Sequence, residues 1–449
     1  MKQISKQNKN ILYNVIGAFA VKGGSLIISV ILLPLYLQFF QDQEILGIWY
    51  TILSVLNWVI IFDLGLGQGL RNQLPKALLN NDKKLAREYI STTYVLMSAV
   101  AVVISTVGII LIQNVNLYGV FNVDASVIKY HDLQHAVIIV FLGIILQIVL
   151  KIATSILYAM QKSAVVNVLA LLSNIIIVCA LFFIPSRDIG TNLIAMAWVN
   201  VAAANIPYLG CTFILFDMEP LKGTAPSLKA FSKQNVKAIF NVGLSLFWLQ
   251  VVFMIVSSTN EFLISNLTAP KYVVEYQAYY KIFKTAAMVV SLALTPIWSA
   301  VTKAQIEKNY SWIKKVYILF LGCSSLCFLA EICLIPILQW GMDLWLGKDV
   351  IAVQAWYAVV FALSSAIFVL HNVNTSIGNG LSYFKVQMIW MTFAAISFIP
   401  LSFLFVKIFN SWIGVVLASV IAMLPYEILA PIYTFRYLNG LKEKLAPGQ

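Results

Sequence analysis

The sequence predicts an all-α polytopic membrane protein, with twelve transmembrane helices arranged as two six-helix lobes in a parallel pseudo-two-fold repeat. The chain has 449 residues, of which 61% are hydrophobic and only 11% are charged, whereas soluble domains carry about a quarter charged residues. The formal net charge is +12. In a membrane protein such an excess normally reflects cytoplasmic lysines and arginines, so nucleic-acid binding is not implied.

The chain also contains a series of apolar runs, each close to the roughly 20 residues that a membrane-spanning helix needs. The first run follows Lys2, Lys6 and Lys9, but it exceeds the length of a signal-peptide core and shows no clear cleavage site, so it is predicted to be a retained helix. The twelve predicted segments are 11–36, 45–69, 89–113, 134–158, 164–184, 192–216, 238–264, 273–299, 314–339, 351–374, 386–408 and 412–435.

The positions of lysine and arginine predict that both termini are cytoplasmic. When the N-terminus is placed inside, most basic residues outside the apolar segments fall in the inside loops. Cytoplasmic loops are the ones that carry excess lysine and arginine, and the even number of segments returns the C-terminus to the same side. The outside loops then hold only Lys129, Arg187, Lys271, Lys348 and Lys407.

The longest inside connection, 217–237, is predicted to link the two lobes, 1–216 and 238–449. It is rich in proline, glycine, serine and lysine. Weak internal repetition supports this division, because the same Thr-Ser-Ile sequence ends the fourth segment at Thr154–Ile156 and the tenth at Thr375–Ile377. Lobes that start on the same side of the membrane would be parallel repeats.

Four lysines lie within apolar segments, and Arg71 follows the second segment. Each such lysine costs about 2.5–3.5 kcal/mol on insertion scales, so it needs an explanation. One interpretation is snorkelling to the headgroups or structural pairing with an acid. The other is a positively charged, water-filled cavity between the lobes, which would bind an anion. The predicted substrate-binding residues are Lys22, Arg71, Lys151, Lys281 and Lys284.

The acids within or at the ends of the apolar segments are fewer: Asp63, Glu261, Glu331 and Glu427. They are predicted either to pair with the lysines or to couple transport to an ion. His131 and His135 are spaced i, i+4, but no further ligands lie near them, so no metal site is predicted. The sequence contains no Ser-His-Asp order, no paired catalytic carboxylates and no P-loop. It therefore predicts neither an enzyme nor a cofactor.

Gly65, Gly67 and Gly69 alternate directly after the second apolar segment. The spacing is not read as a dinucleotide loop, because a membrane-length helix precedes it instead of the strand of a βαβ unit. Two interpretations stay open. The glycines either allow tight helix packing or form a flexible helix end that places Asp63 and Arg71 at the mouth of a cavity.

Two motifs carry a family resemblance: DLGLGQGLRN at Asp63–Asn72 and TPIWSA at Thr295–Ala300. They resemble those of the Wzx oligosaccharide-lipid flippases, the polysaccharide transporter branch of the multidrug/oligosaccharidyl-lipid/polysaccharide exporter superfamily. The resemblance implies a flippase of the bacterial inner membrane. It would translocate undecaprenyl-diphosphate-linked oligosaccharide repeat units, for O-antigen or capsule, by alternating access.

The same resemblance implies the partners. They are the lipid-linked oligosaccharide itself, membrane lipids, and the polymerase and chain-length regulator of lipopolysaccharide or capsule synthesis. The alternative function is a drug/cation antiporter of the same superfamily. A cationic substrate would favour acids in the cavity, whereas here lysines dominate at mid-depth in the predicted membrane segments.

Overall fold

The computed structural model describes residues 21–443, apart from residues 22, 64, 161 and 382. Lys22 therefore lies outside the described residues, and so does the side chain of Asp63. The other side chains that lie outside the description are those at 61–62, 163, 241–246, 289–293, 295–296, 298–299, 306 and 442–443.

The described residues form helices joined by short turns and contain no strand, which confirms the predicted all-α fold class. Three short 3-10 helices, Trp58–Asp63, Leu228–Ala230 and Ile335–Ile337, accompany the α-helices. The α-helices are α1 (Gly23–Phe40), α2 (Gln43–Asn57), α3 (Leu66–Leu79), α4 (Lys83–Asn114), α5 (Leu117–Phe121), α6 (Tyr130–Leu150), α7 (Ile152–Ala159), α8 (Ser163–Phe183), α9 (Ile189–Leu215), α10 (Lys233–Ser257), α11 (Asn260–Leu267), α12 (Lys271–Ile306), α13 (Tyr310–Leu334), α14 (Leu338–Leu346), α15 (Ala355–Gly380), α16 (Lys385–Phe409) and α17 (Ile413–Glu443).

Within the described part of the chain, eleven helical stretches are long and apolar enough to cross a membrane. They coincide with eleven of the twelve predicted segments. The remaining predicted segment, 273–299, lies within α12, which is 36 residues long. At 1.5 Å per residue such a helix exceeds the thickness of a bilayer.

Three of the predicted segments are interrupted in the structure. The second prediction, 45–69, extends too far: α2 passes into a 3-10 helix, and a new helix starts after Gly65, whose φ of 72° lies in the left-handed region. Glycine adopts that conformation without the steric cost of a Cβ. The fourth segment breaks at Lys151, between α6 and α7. The ninth breaks at a 3-10 turn that contains Pro336.

Aspartates begin three of the long helices. Asp42 accepts hydrogen bonds from the first-turn N–H groups of α2, Asp82 accepts one from α4, and Asp188 accepts one from the Thr191 N–H of α9. These contacts satisfy N–H groups that lack a partner inside the helix. The backbone and hydroxyl hydrogen bonds from Thr191 also hold the pKa of Asp188 below its usual range.

The chain divides into two compact units, Met1–Gln250 (the first unit) and Val251–Gln449 (the second unit), with the boundary inside α10. In the first unit, α6 packs closely on α9 because a Cβ added at Gly143 would lie only 2.3 Å from Val201 Cγ2. The Asn205 amide of α9 also donates to the Gly143 carbonyl at 3.1 Å. The division into lobes 1–216 and 238–449 stays a prediction.

The predicted linker 217–237 lies along the first three turns of α4, within the first unit. The Ser227 and Ser232 N–H groups donate to the buried hydroxyls of Ser91 and Thr92, at 3.0 Å and 3.1 Å. Lys83 also forms an ion pair with Glu219. Arg87 donates a hydrogen bond to the Ala225 carbonyl, and the Asn235 amide donates one to the Glu88 carboxylate. The segment is thus held on α4 by repeated hydrogen bonds.

Part of the core of the second unit is an aromatic cluster of α12, α15 and the residue before α17. Tyr279 stacks on Phe361 with ring centroids 5.2 Å apart, and Trp412 lies 6.3 Å from Tyr279. The three rings are almost fully buried. The Trp412 indole donates to Glu275 Oε2 at 3.0 Å, which satisfies the polar atom of the cluster's largest side chain.

Candidate functional site

The first unit contains a cavity of about 140 Å³ that brings together two of the predicted cationic residues, Arg71 and Lys151. It lies between the 3-10 helix after α2, the first turns of α3, and the junction of α6 with α7. We call it the cationic cavity. Its polar lining also includes Gln68, Thr154 and Ser155. No carboxylate is found among its described lining residues, so the lining carries only positive formal charge.

Arg71 reaches this cavity because the chain turns sharply at Gly65 and starts α3 immediately afterwards. Its guanidinium carbon lies 4.6 Å from the centroid of the Tyr158 ring. A guanidinium plane on an aromatic face is held in orientation while its N–H groups stay available to an acceptor. Tyr158 comes from α7, so this contact joins the α3 side of the cavity to the α7 side.

Lys151 stands at the break between α6 and α7, where it is the residue that follows the last turn of α6. The carbonyl ends of helices carry partial negative charge, which favours a cation at that position. The N–H and the hydroxyl of Thr154 both donate to the Lys151 carbonyl, at 2.9 Å and 2.7 Å, and these bonds tie the break to the first turn of α7.

The structure supports parts of both interpretations of the glycine motif. Gly69 serves packing, since a Cβ there would lie 2.2 Å from the Ile239 carbonyl oxygen of α10, closer than any real contact. Gly65 provides the left-handed turn, and Gly67 borders the cationic cavity. The motif therefore both packs α3 and directs Arg71 into the cavity.

In the second unit, Lys284 of α12 is half-buried and lies against aromatic faces. Its ammonium nitrogen is 2.9 Å from the centroid of the Phe368 ring and 5.5 Å from that of Tyr280. The small cavity that it lines has a volume of about 40 Å³. A water needs at least about 10–15 Å³, so this cavity has room for water but not for a diphosphate.

Lys281 lies one turn before Lys284 and is not among the lining residues of that small cavity. The assignment of Lys281 and Lys284 to the substrate stays a prediction. The observed surroundings of Lys284 are those of a cation that is stabilised by rings within its own unit.

A closed hydrogen-bond network surrounds Glu427 of α17, which is 3% exposed. The carboxylate contacts His371 Nδ1 at 3.0 Å through one oxygen, and it accepts from Asn374 Nδ2 at 2.7 Å through the other. The Tyr317 hydroxyl donates to Asn374 Oδ1 at 2.5 Å. Both residues of the Glu427–His371 pair are buried, and both carboxylate oxygens have partners, as a buried charged or polar group requires.

The imidazole of His371 is also enclosed on its other sides. Phe253 stacks on it at 4.6 Å between centroids, and Tyr426 meets it edge-on. Thr375 Oγ1 lies 3.4 Å from His371 Nε2. With a proton on Nδ1 donated to Glu427, the Nε2 nitrogen lies within reach of the Thr375 hydroxyl, so both ring nitrogens have a polar neighbour.

Glu331 of α13 lies in a second buried network, and it is 1% exposed. Ser365 Oγ lies 2.6 Å from Glu331 Oε1 and 3.1 Å from the Phe283 carbonyl oxygen. A serine hydroxyl carries one proton, so it cannot donate to both oxygens at once. Both contacts can be hydrogen bonds if Glu331 is protonated and donates to the Ser365 hydroxyl, while that hydroxyl donates to the Phe283 carbonyl.

The other oxygen of the same carboxyl group, Glu331 Oε2, has no hydrogen-bond partner among the described residues. Burying an ionised carboxylate with a bare oxygen is far more costly than burying the neutral acid. The neighbouring thiol of Cys327, 3.8 Å from Oε1, is only a weak donor. The count of protons at Ser365 therefore favours a neutral Glu331.

Glu261, the fourth predicted acid, lies in the first turn of α11, where it accepts a hydrogen bond from Gln277 of α12 at 3.0 Å. The rings of His131 and His135 are 3.8 Å apart. Within the described part of the chain no group of three or more metal-ligating side chains comes together.

Three residues of these sites, His371, Ser365 and Tyr158, were not predicted from the sequence. His371 had a detectable signal, because His371, Asn374 and Thr375 place polar groups at i, i+3 and i+4 within an apolar helix, which is one helix face. Tyr158 had none, since its role depends on meeting Arg71 from a distant part of the chain.

No family model matches the sequence, and no curated protein sequence matches it either. Solved structures do match along nearly the whole chain. The structure described as the inward-facing conformation of a multidrug resistance MATE family transporter of the MOP superfamily has a TM-score of 0.78 and 15% identity, with 96% of this chain and 100% of that chain covered.

A MATE structure in the bent conformation has a TM-score of 0.64 and 16% identity, with 98% of this chain and 97% of that chain covered. The Vibrio cholerae MATE transporter VcmN in its bent form has a TM-score of 0.62 and 14% identity, with 96% of this chain and 98% of that chain covered. At these identities the likeness establishes the fold, which is that of MATE transporters.

Proposed function

We propose that this chain is a membrane transporter that binds an anionic group of its substrate in the cationic cavity of the first unit. The observation that carries the proposal is the meeting of Arg71 and Lys151 in one cavity that no described carboxylate lines. Arginine matches the geometry of phosphate oxygens, and lysine adds a compact second charge. Together they suit a phosphate or diphosphate group.

The flippase form of this proposal takes undecaprenyl-diphosphate-linked oligosaccharide as the substrate. A cavity of about 140 Å³ is too small for the whole molecule, but it suits contact with one phosphate group. In this form the protein resides in the bacterial inner membrane with both termini cytoplasmic, and it works by alternating access. The polymerase and the chain-length regulator of polysaccharide synthesis would be its partners.

The second candidate is a drug/cation antiporter, and the comparisons favour it over the flippase. The structural neighbours are described as multidrug resistance transporters. Buried acids in the second unit, Glu331 and Glu427, are compatible with an ion-coupled mechanism. The positive charge of the cationic cavity argues against a cationic substrate at that site.

Reconstituted protein can separate the two candidates. Proteoliposomes would be tested for movement of a fluorescent polyprenyl-diphosphate sugar between leaflets and, in parallel, for uptake of an organic dye cation. Arg71→Ala and Lys151→Ala should each lower lipid-linked sugar movement about tenfold or more, as expected from the loss of one charge-assisted contact.

Lys76→Ala is the matched control, because Lys76 is an exposed cation on the same helix as Arg71 and does not line the cavity. It should retain full movement. Dye uptake by the wild type, with no movement of the lipid-linked sugar, would establish the antiporter instead. Unchanged sugar movement in both cavity variants would refute the cationic cavity as the binding site.

A further inference from the structure

A second and larger concavity of the first unit lies on the other side of α7, between α7, α8 and α9. Its volume is about 700 Å³. Leu157, Leu169 and Leu215 form its buried floor, while flanking residues such as Leu172 and Ile206 are exposed. All of its described lining residues are uncharged except Lys162. We call it the α8–α9 groove.

The groove exists because α9 carries small side chains where it faces α8. Gly210 has no side chain, and a Cβ added there would meet nothing within 4 Å. Pro207, one turn earlier, and Cys211 are also small, and both line the groove. The space left open at Gly210 is therefore continuous with the groove and is not filled by a neighbouring helix.

Lys162 marks the end of the groove at the membrane face. It occupies the short connection between α7 and α8, and no described acid lies within ion-pair distance of it. Leu215 and Met218, at the end of α9 and the start of segment 217–237, line the groove at the same face. Because Lys162 precedes the apolar span Ala164–Phe183, we expect this single cation at the level of the lipid headgroups, with the apolar part of the groove extending along the span.

The depth of the groove can be read along both helices. Leu172 follows Lys162 by ten residues on α8, which corresponds to about 15 Å. Ile206 precedes Leu215 by nine residues on α9, which corresponds to about 14 Å. The hydrocarbon core of a bilayer is about 30 Å thick, so the groove is as deep as one leaflet.

We propose that the α8–α9 groove binds one anionic phospholipid from the leaflet on the side of segment 217–237. One acyl chain lies on the leucine floor, and the phosphate lies on Lys162. The charge at the mouth selects an anionic headgroup. The match to a single leaflet favours a phospholipid chain over a much longer polyprenyl chain, which would not fit within that depth.

Native mass spectrometry of the full chain tests the proposal with dioleoyl phosphatidylglycerol, dioleoyl phosphatidylcholine and undecaprenyl phosphate as probes. The wild type should retain one phosphatidylglycerol in preference to phosphatidylcholine. Gly210→Trp fills the groove and should lose that lipid. Gly322→Trp is the matched control, because Gly322 is also a helical glycine with open space around it, yet it lies in the second unit. It should retain the lipid.

Lys162→Gln should lower the affinity for phosphatidylglycerol about fivefold, toward that for phosphatidylcholine, because one lysine near the surface contributes an attraction of about that size. Lys162→Arg should retain the preference. Retention by Gly210→Trp equal to that of the wild type, or an unchanged preference in Lys162→Gln, would overturn the proposal. Displacement of phosphatidylglycerol by undecaprenyl phosphate at lower concentration would also overturn it, because the occupant would then be a polyprenyl lipid.

Cys211 gives a second measurement that does not depend on the folding of Gly210→Trp. Cys179, Cys323, Cys327 and Cys333 would be replaced by alanine, so that Cys211 is the one remaining thiol. Phosphatidylglycerol should slow its alkylation by N-ethylmaleimide, and Lys162→Gln should need about fivefold more lipid for the same protection. Equal protection by phosphatidylcholine would contradict the proposal. Neither measurement uses transport, so failure here leaves the proposed function untouched.

Discussion

The two units arrange their charged and polar groups in opposite ways. In the first unit, Arg71 and Lys151 line an open cavity whose described lining has no acid. In the second unit, Glu331 and Glu427 are almost fully buried, and hydroxyl, amide and imidazole groups surround them. Lys284 of the second unit lies on aromatic rings.

The difference separates groups that can meet a ligand from groups that support the fold. A cation at a cavity is stabilised by water, and it can exchange that water for an anion. A buried carboxyl group such as that of Glu427 or Glu331 depends on the few partners that it has, so removing one of them leaves a buried polar group unsatisfied. We therefore expect substitutions in the second unit to affect stability and those in the cationic cavity to affect transport.

The largest loss of stability is expected from His371→Ala. It would leave one oxygen of the buried Glu427 carboxylate without its partner and a cavity where Phe253 and Tyr426 pack on the ring, which together cost about 3–5 kcal/mol. Thermal unfolding of the purified protein in detergent would measure the change. His131→Ala is the control, since that side chain is 72% exposed, and it should change the free energy of unfolding by less than about 0.5 kcal/mol. Equal melting of the two variants would show that the Glu427 network does not support the fold.

A smaller and more selective effect is expected at Glu331. If its carboxyl group is neutral, Glu331→Gln keeps a donor toward Ser365 and should cost less than about 1 kcal/mol. Glu331→Ala removes the donor and leaves a cavity, and it should cost about 2–3 kcal/mol. The same unfolding assay compares the two variants. A loss in Glu331→Gln as large as in Glu331→Ala would indicate that the carboxyl group is ionised.

The smallest effect on stability is expected from Arg71→Ala, even though this variant should lose transport. Arg71 is exposed, and its contact with the Tyr158 ring is a cation–π contact of about 0.5–1 kcal/mol at an exposed site. Unfolding and lipid-linked sugar movement would be measured on the same preparation. If Arg71→Ala melted as early as His371→Ala, the cationic cavity would be a structural feature like the networks of the second unit.

The apolar segments could be predicted because their signal is local. A run of about 20 apolar residues can satisfy its backbone within a membrane only as a helix, whatever surrounds it. The helix break at Lys151 was not predicted, since the residues on both sides are as apolar as the rest of that segment. The glycine motif did suggest a helix end near Gly65 as one interpretation, but the predicted segment still ran to residue 69. A break is stabilised by contacts with other helices, such as Gly69 against Ile239.

The candidate sites were predicted only in part. The sequence identified Lys151, Glu331 and Glu427 because a charge in an apolar segment is costly anywhere in a bilayer. It identified Arg71 because that residue directly follows the second segment and the glycine motif. It did not show which of these charges share a cavity and which lie in closed networks. His371 and Glu427 are 56 positions apart in the chain, and Ser365 and Glu331 are 34 apart.

The sequence by itself determined the class of molecule, the course of its membrane segments and the short set of charged residues that need an explanation. Composition and hydropathy suffice for these, because the bilayer acts on every residue as the same solvent. Only the tertiary structure decided the partners of each charge. Arg71 and Lys151 meet in a cavity, Glu427 meets His371, and Lys284 meets Phe368. Pairing depends on which helix faces approach each other, and helix packing sets those faces.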